Sequence, residues 1–228
     1  MGLRFRAVTG VISYVALFAI FLFLPAGTLH WRRAWALLGL LLAVRTIGVL
    51  RLIHTNGALL AERSKPPIQQ GQPIVDRVLL ISFMATYAGL IAFASLDRFR
   101  FHFIGPPVAA ISIAGLVVFV AGWWIVTLAL ETNAFAARVV RLQSERCHAV
   151  VDAGVYGIVR HPMYAGVVLV MTGMCLWLQS YAALLAASIP AAILVLRIVT
   201  EERFLTRELE GYGAYRSRVS RRLIPGLW

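Results

Sequence analysis

Long unbroken apolar runs constrain this chain more than any other feature. They lie near Val8 to Leu24, Ala34 to Ile53, Val78 to Leu96 and Pro107 to Leu130, with two more near Met163 to Gln179 and Tyr181 to Val199. A helix needs roughly 17 to 25 apolar residues to cross a bilayer. Inside lipid every backbone N–H and C=O must find a partner within the protein, which leaves helices or closed barrels. Runs that are apolar throughout, without alternation, favour helices. The expected fold is therefore all-α: a polytopic membrane helix bundle of about six transmembrane helices with a C-terminal cytoplasmic helix. Composition agrees, since 60% of residues are hydrophobic, 14% are charged and the mean hydropathy is +0.80. That balance excludes an ordinary soluble domain.

The net charge of +12 raises the question of nucleic acid, and the placement of the basic residues answers it. With both termini cytoplasmic, only Arg32, Arg33, Arg98 and Arg100 fall outside, and Arg45 and Arg197 lie within spans. The remaining basic residues, from Arg4 and Arg6 to the tail between Arg203 and Arg222, all fall inside. This asymmetry is the positive-inside pattern of a membrane protein, and no nucleic-acid partner is expected. The single Lys among 22 basic residues suggests a GC-rich genome and a bacterial inner membrane. Arg4 and Arg6 precede an apolar stretch too long for a signal peptide, so it reads as an uncleaved first span. Cys147 and Cys175 have no metal or redox spacing, and no metal site is expected.

Arg45 stands about ten residues into the second run, so at 1.5 Å per residue it is roughly 15 Å deep and must face protein or water. Two roles are open to it: a structural pair inside the bundle, or contact with a buried polar ligand. Between the second and third runs, Asn56 is a candidate helix cap for a short amphipathic turn through Arg63, and a Pro- and Gly-rich break follows. Trp123 and Trp124 read as packing residues.

The longest polar linker, "ETNAFAARVVRLQSERCHAVVDAGVYGIVRH", precedes the fifth run and exceeds what a passive connection needs. Pro162 suits the first helical position because its missing N–H would be unsatisfied there. A helix is thus expected to start at "HPMY", with its free N–H groups and positive dipole end at the cytoplasmic interface. Arg160 and His161 flank that end, and Tyr164 follows one turn later. Gly154, Gly157 and Gly166 point to a tight turn and a close helix contact. The last run ends in Arg197 and "TEERF", where Arg197 and Glu201 are spaced for an i, i+4 pair. A very short connection between the last two runs makes them antiparallel neighbours and brings "RHPMY" beside "RIVTEE".

The ordered set "CHAVVDAGVYGIVRHPMYAG", "TEERFL" and "YGAYRSRVSRRLIP" resembles the isoprenylcysteine carboxyl methyltransferase and phospholipid methyltransferase family over roughly the last 90 residues. Such enzymes are integral membrane methyltransferases that use S-adenosylmethionine. The resemblance implies that His148, Ala149, Val150, Val151, Tyr156, His161, Pro162, Met163 and Tyr164 line the cofactor site, with Glu201 reaching it from the last helix. It places Arg197 toward the methyl acceptor, a lipophilic small molecule or lipid. Residues 1–130 then form a four-span region for acceptor access, and residues 131–228 a cofactor-binding region with a helical hairpin and cytoplasmic tail. A carboxylate acceptor needs no base, whereas an amine acceptor could give its proton to Glu201. Two other classes stay open: an NADPH-dependent membrane sterol or isoprenoid reductase, similar in "RHPxYxG", and a non-catalytic membrane scaffold or transporter.

Overall fold

The computed structural model describes residues 2–226 and 228, with backbone only for Leu3 and Arg4. The side chain of Arg4, one of the cytoplasmic cations above, lies outside the described residues. The helices are α1 (Leu3–Ala26), α2 (Arg32–Thr55), α3 (Gly57–Arg63), α4 (Ile74–Leu96), α5 (Ala109–Thr132), α6 (Pro162–Trp177), α7 (Tyr181–Ala186), α8 (Ser188–Glu208) and α9 (Tyr212–Arg218). No strand occurs among the described residues, as the apolar runs require.

Among the described residues five helical stretches are long and apolar enough to cross a membrane: Phe5–Ala26, Arg32–Thr55, Ile74–Phe101, Ala109–Thr132 and Tyr181–Glu208. The expected fifth run yields a shorter apolar helix, Pro162–Trp177. Its 16 residues span only about 24 Å. It ends just before Gln179, which adopts a left-handed φ of 65°. Ser180 then caps α7 by accepting from the N–H of Ala183. Asn56 caps α3 as expected, its side chain accepting from Leu59 N–H at 3.2 Å.

The expected meeting of "RHPMY" and "RIVTEE" holds, through Tyr164–Glu201 and Arg160–Glu202, but the last two runs are not each other's main packing partners. The helix packed most extensively on α6 is α5, while α8 lies chiefly on α4. Glycine decides the first of these contacts. A Cβ on Gly122 would come within 2.6 Å of the Gly166 carbonyl oxygen, and one on Gly166 within 2.6 Å of the Gly122 carbonyl. Gly115 and Gly173 meet in the same way one heptad further along. Small residues let helix backbones touch in lipid, where apolar burial offers little drive for association. At the opposite end of the pair, Arg33 Nη1 donates to the Trp177 carbonyl at 3.0 Å and Trp177 Nε1 donates to the Arg33 carbonyl at 2.8 Å. The α5–α6 pair thereby fixes the height at which the polar linker and the start of α6 sit.

Candidate functional site

Between the end of α5 and the start of α6 the chain makes a 3-10 turn, Gly154–Gly157. Gly154 opens it at φ 54°, a left-handed conformation in which a side chain would be strained. Pro162 occupies the first turn of α6. The returning tail closes over this region: Arg160 and His161 donate their backbone N–H groups to the carbonyls of Arg221 and Arg222, both at 2.9 Å. Tyr215 hydroxyl donates to the Tyr156 carbonyl at 2.8 Å.

These elements enclose a cleft. Its walls include His148, Ala149, Val150, Val151, Tyr156, His161, Met163, Tyr164, Arg197 and Glu201. Every residue that the resemblance places at the cofactor or acceptor site therefore lines one cavity, except Pro162, which is buried at the helix start. Arg160, which flanks the helix start, lines the cavity too, and the sequence reading missed Asn133, Phe135, Leu205, Leu209, Tyr212 and Tyr215 among the other lining residues. The "YGAY" aromatics were a legible signal for the last two.

The charges resolve into three groups. Glu201 Oε2 accepts from the Tyr164 hydroxyl at 2.7 Å. Glu202, its neighbour, is gripped by Arg160 Nε at 2.6 Å, His161 Nε2 at 3.2 Å and Arg222 Nε at 2.9 Å. The carboxylate held beside Arg160 and His161 is thus the protein's own. His161 is buried and paired, so its loss would disturb the fold as well as the cleft. Arg197 does not pair with Glu201, the partner its spacing suggested. Its Nε donates to Asp76 Oδ1 at 2.9 Å and its Nη2 to the Arg138 carbonyl at 2.5 Å. Asp76, unseen in the sequence reading, also accepts from Gln72 Nε2 at 2.6 Å and Val140 N–H at 3.0 Å. This network ties α4 and α8 to the linker.

His148 rests against the Phe135 ring, with centroids 4.5 Å apart, and its Nδ1 accepts the Gln143 N–H at 3.4 Å. Burial holds its pKa below the usual histidine value, helped by the Arg146 and Arg141 charges, so the ring is neutral. Burial likewise pushes Tyr215 up to about 12 and Tyr156 above the ordinary tyrosine range. Both stay protonated as hydrogen-bond donors. The cleft thus offers one partly exposed carboxylate, aromatic faces and apolar walls at the end of the bundle.

Residues 110–211 match the phospholipid methyltransferase family model. Over that stretch the chain is similar to phospholipid methyltransferases. It runs from the start of α5 to the turn before α9, and so carries most of the cleft and the whole α5–α6 pair. No curated protein matches the chain.

Proposed function

We propose that the protein transfers a methyl group from S-adenosylmethionine to the carboxylate or amine of a lipophilic acceptor drawn from the membrane. The supporting observation is the cleft chemistry inside the family-matched region: a carboxylate, Glu201, beside the aromatic ring of Tyr164, with apolar walls from Val150, Val151, Leu205 and Leu209. A cation is favoured next to a carboxylate and over aromatic faces. Apolar and aromatic walls suit a nucleoside. When bound, S-adenosylmethionine supplies a methyl group already activated by its sulfonium, so neither a nucleophile nor a metal is required of the protein.

What the chain must do is hold, align and keep dry. Glu201 and Tyr164 hold the cationic centre, and Tyr212 and Tyr215 shut the cleft from water. The free volume of about 100 Å³ is below the roughly 300 to 1,000 Å³ typical of ligand sites, so admission requires the Leu209–Tyr215 segment to lift. Gly211, at φ 80°, is placed to act as its hinge. Arg197 is a positioning residue that orients the acceptor, and Glu201 takes the proton where the acceptor is an amine. The clustering of basic residues in alternate loops supports a cytoplasmic side for both termini.

Isothermal titration of the purified protein with S-adenosylmethionine, and separately with NADPH, tests this reading. Binding of the first alone is the expected result, and binding of NADPH alone would replace the proposal with a reductase. Arg197→Lys keeps the charge but loses the planar fork. The expected outcome is near-normal S-adenosylmethionine affinity with turnover at least about tenfold lower and a raised acceptor KM, about 1.4 kcal/mol of transition-state stabilisation. Unchanged turnover would confine Arg197 to its Asp76 clamp.

A further inference from the structure

A second cavity, of about 380 Å³, lies among α1, α2, α3 and α5. Arg6, Arg45, Arg63 and Arg138 line it, and among the described residues no Asp or Glu does. None of these four arginines takes part in any salt bridge among the described residues. Arg45 is the extreme case, midway along a membrane-crossing helix. Its guanidinium sits 4.7 Å from the Tyr14 ring and 5.1 Å from the Trp123 ring. Ring faces hold a cation but occupy none of its N–H groups. Arg45 Nε is buried without a hydrogen-bond partner, and so is Nε1 of Trp123, a cavity-lining residue only 9% exposed. Buried donors without acceptors are costly, and uncompensated cations at membrane depth more so. The cluster also acts on Arg63, whose pKa falls to about 9, first through burial and then through the Arg138 and Arg45 charges.

Two further contacts orient this chamber. On one side it adjoins the cleft: Arg63 Nη1 donates to the Ala136 carbonyl at 2.7 Å and lies 3.7 Å from Met163 Sδ, and both residues line the cleft. The Arg138 carbonyl is the one that Arg197 holds. On the other side it adjoins an apolar groove of about 470 Å³ between α1 and α2, with which it shares Ala7, Val11 and Val49. The groove carries Val8, Ile12, Leu42 and Leu50 on its exposed face.

We propose that the chamber takes the anionic group, phosphate or carboxylate, of a membrane lipid whose chain lies in the α1–α2 groove. This lipid is the methyl acceptor, a statement that rests on the methyltransferase reading above. The charge excess selects an anion, the groove selects a lipid over a free ion, and the shared wall at Arg63 and Met163 brings the headgroup to the edge of the cleft. Arg45 and Trp123 supply the donors that the protein itself leaves unused.

Native mass spectrometry of the full chain in detergent, with dihexanoylphosphatidylglycerol, uncharged dihexanoylglycerol and inorganic phosphate as probes, tests the site. The anionic lipid should bind at least about tenfold more tightly than either other probe, and Arg45→Gln should remove about that factor for it while leaving the uncharged lipid unchanged. Val49→Trp, which fills the junction of chamber and groove, should weaken the lipid and spare inorganic phosphate. Arg138→Gln, on an exposed linker residue, carries the same expectation should Arg45→Gln fail to fold. Equal affinity for charged and uncharged lipid, or no loss in either arginine variant, would overturn the chamber. Phosphate binding as tightly as the lipid would overturn its lipid occupant. If wild-type protein binds no S-adenosylmethionine while arginine-dependent lipid binding persists, the methyltransferase reading and the acceptor assignment fall and the anion site stands. S-adenosylmethionine binding with arginine-independent lipid binding sinks the chamber alone.

Discussion

Two clusters of arginine lie on either side of one wall and are built in opposite ways. Around the cleft, Arg160 and Arg222 share Glu202, and Arg197 holds Asp76. Across the wall, Arg6, Arg45, Arg63 and Arg138 have no carboxylate among the described residues. A buried charge whose partner is in the chain is committed to holding elements together, and removing the partner strands it. A charge left without a partner contributes little to folding and is available to a ligand. Similar residue types in neighbouring cavities thus do different work, and the presence of a carboxylate decides which.

The sharpest way to break this contrast is to compare Glu202→Ala with Arg45→Gln by thermal unfolding in detergent. Glu202→Ala strands Arg160 and Arg222 and should cost about 3–5 kcal/mol. Arg45→Gln should stay within about 1 kcal/mol of the parent, because lost ring contacts are offset by relieved repulsion. Similar losses for both would show that the chamber arginines are structural after all.

Tyr164→Phe sharpens the cleft side. It deletes a hydroxyl donated to the Glu201 carboxylate, a bond to a charged group that contributes roughly 1.5–3 kcal/mol. The expected result is S-adenosylmethionine affinity about tenfold weaker, with binding of the anionic lipid probe unchanged. Weakened lipid binding with intact cofactor binding would mean that the two cavities had been assigned the wrong way round.

The smallest effect concerns pH. His148 has a folded pKa below its ordinary value of 6.5, so as pH falls through about 6.5 the unfolded chain takes up a proton that the folded chain resists. Its contribution is full above that pH and is lost progressively below it. Unfolding temperatures at pH 7.5 and 5.5 should therefore differ less for His148→Gln than for the parent. An identical pH dependence in both would remove His148 as a titrating element of the cleft wall. The chamber contains no histidine, so this acid sensitivity belongs to the cleft alone.

Much of the fold was legible because lipid imposes a local rule: a run of adequate length and apolarity becomes a helix. The α6 start was equally legible, since proline at a first helical turn is a local preference that Pro162 satisfies. The cleft lining was legible through the family resemblance, whose motifs "CHAVV", "VYG" and "RHPMY" sit close together between α5 and α6. The fifth run was legible too, Met163 to Gln179 against a helix of Pro162–Trp177, although hydropathy does not register the left-handed turn at Gln179 that follows it.

By itself the sequence determined the membrane class, the helix positions and the motif cluster, each governed by neighbours within a turn or two. Tertiary structure alone decided which charges meet. Glu201 and Glu202 are adjacent, yet successive helical residues point about 100° apart. One reaches Tyr164 and the cleft, the other Arg160 and Arg222 behind it. Arg197 passes over its i, i+4 neighbour for Asp76, 121 residues away. Arg45 meets aromatic rings in place of a carboxylate. Apolar runs are read locally because solvent or lipid surrounds each helix in the same way, whereas an ion pair depends on which helix faces are brought together, and only the packing of the bundle decides that.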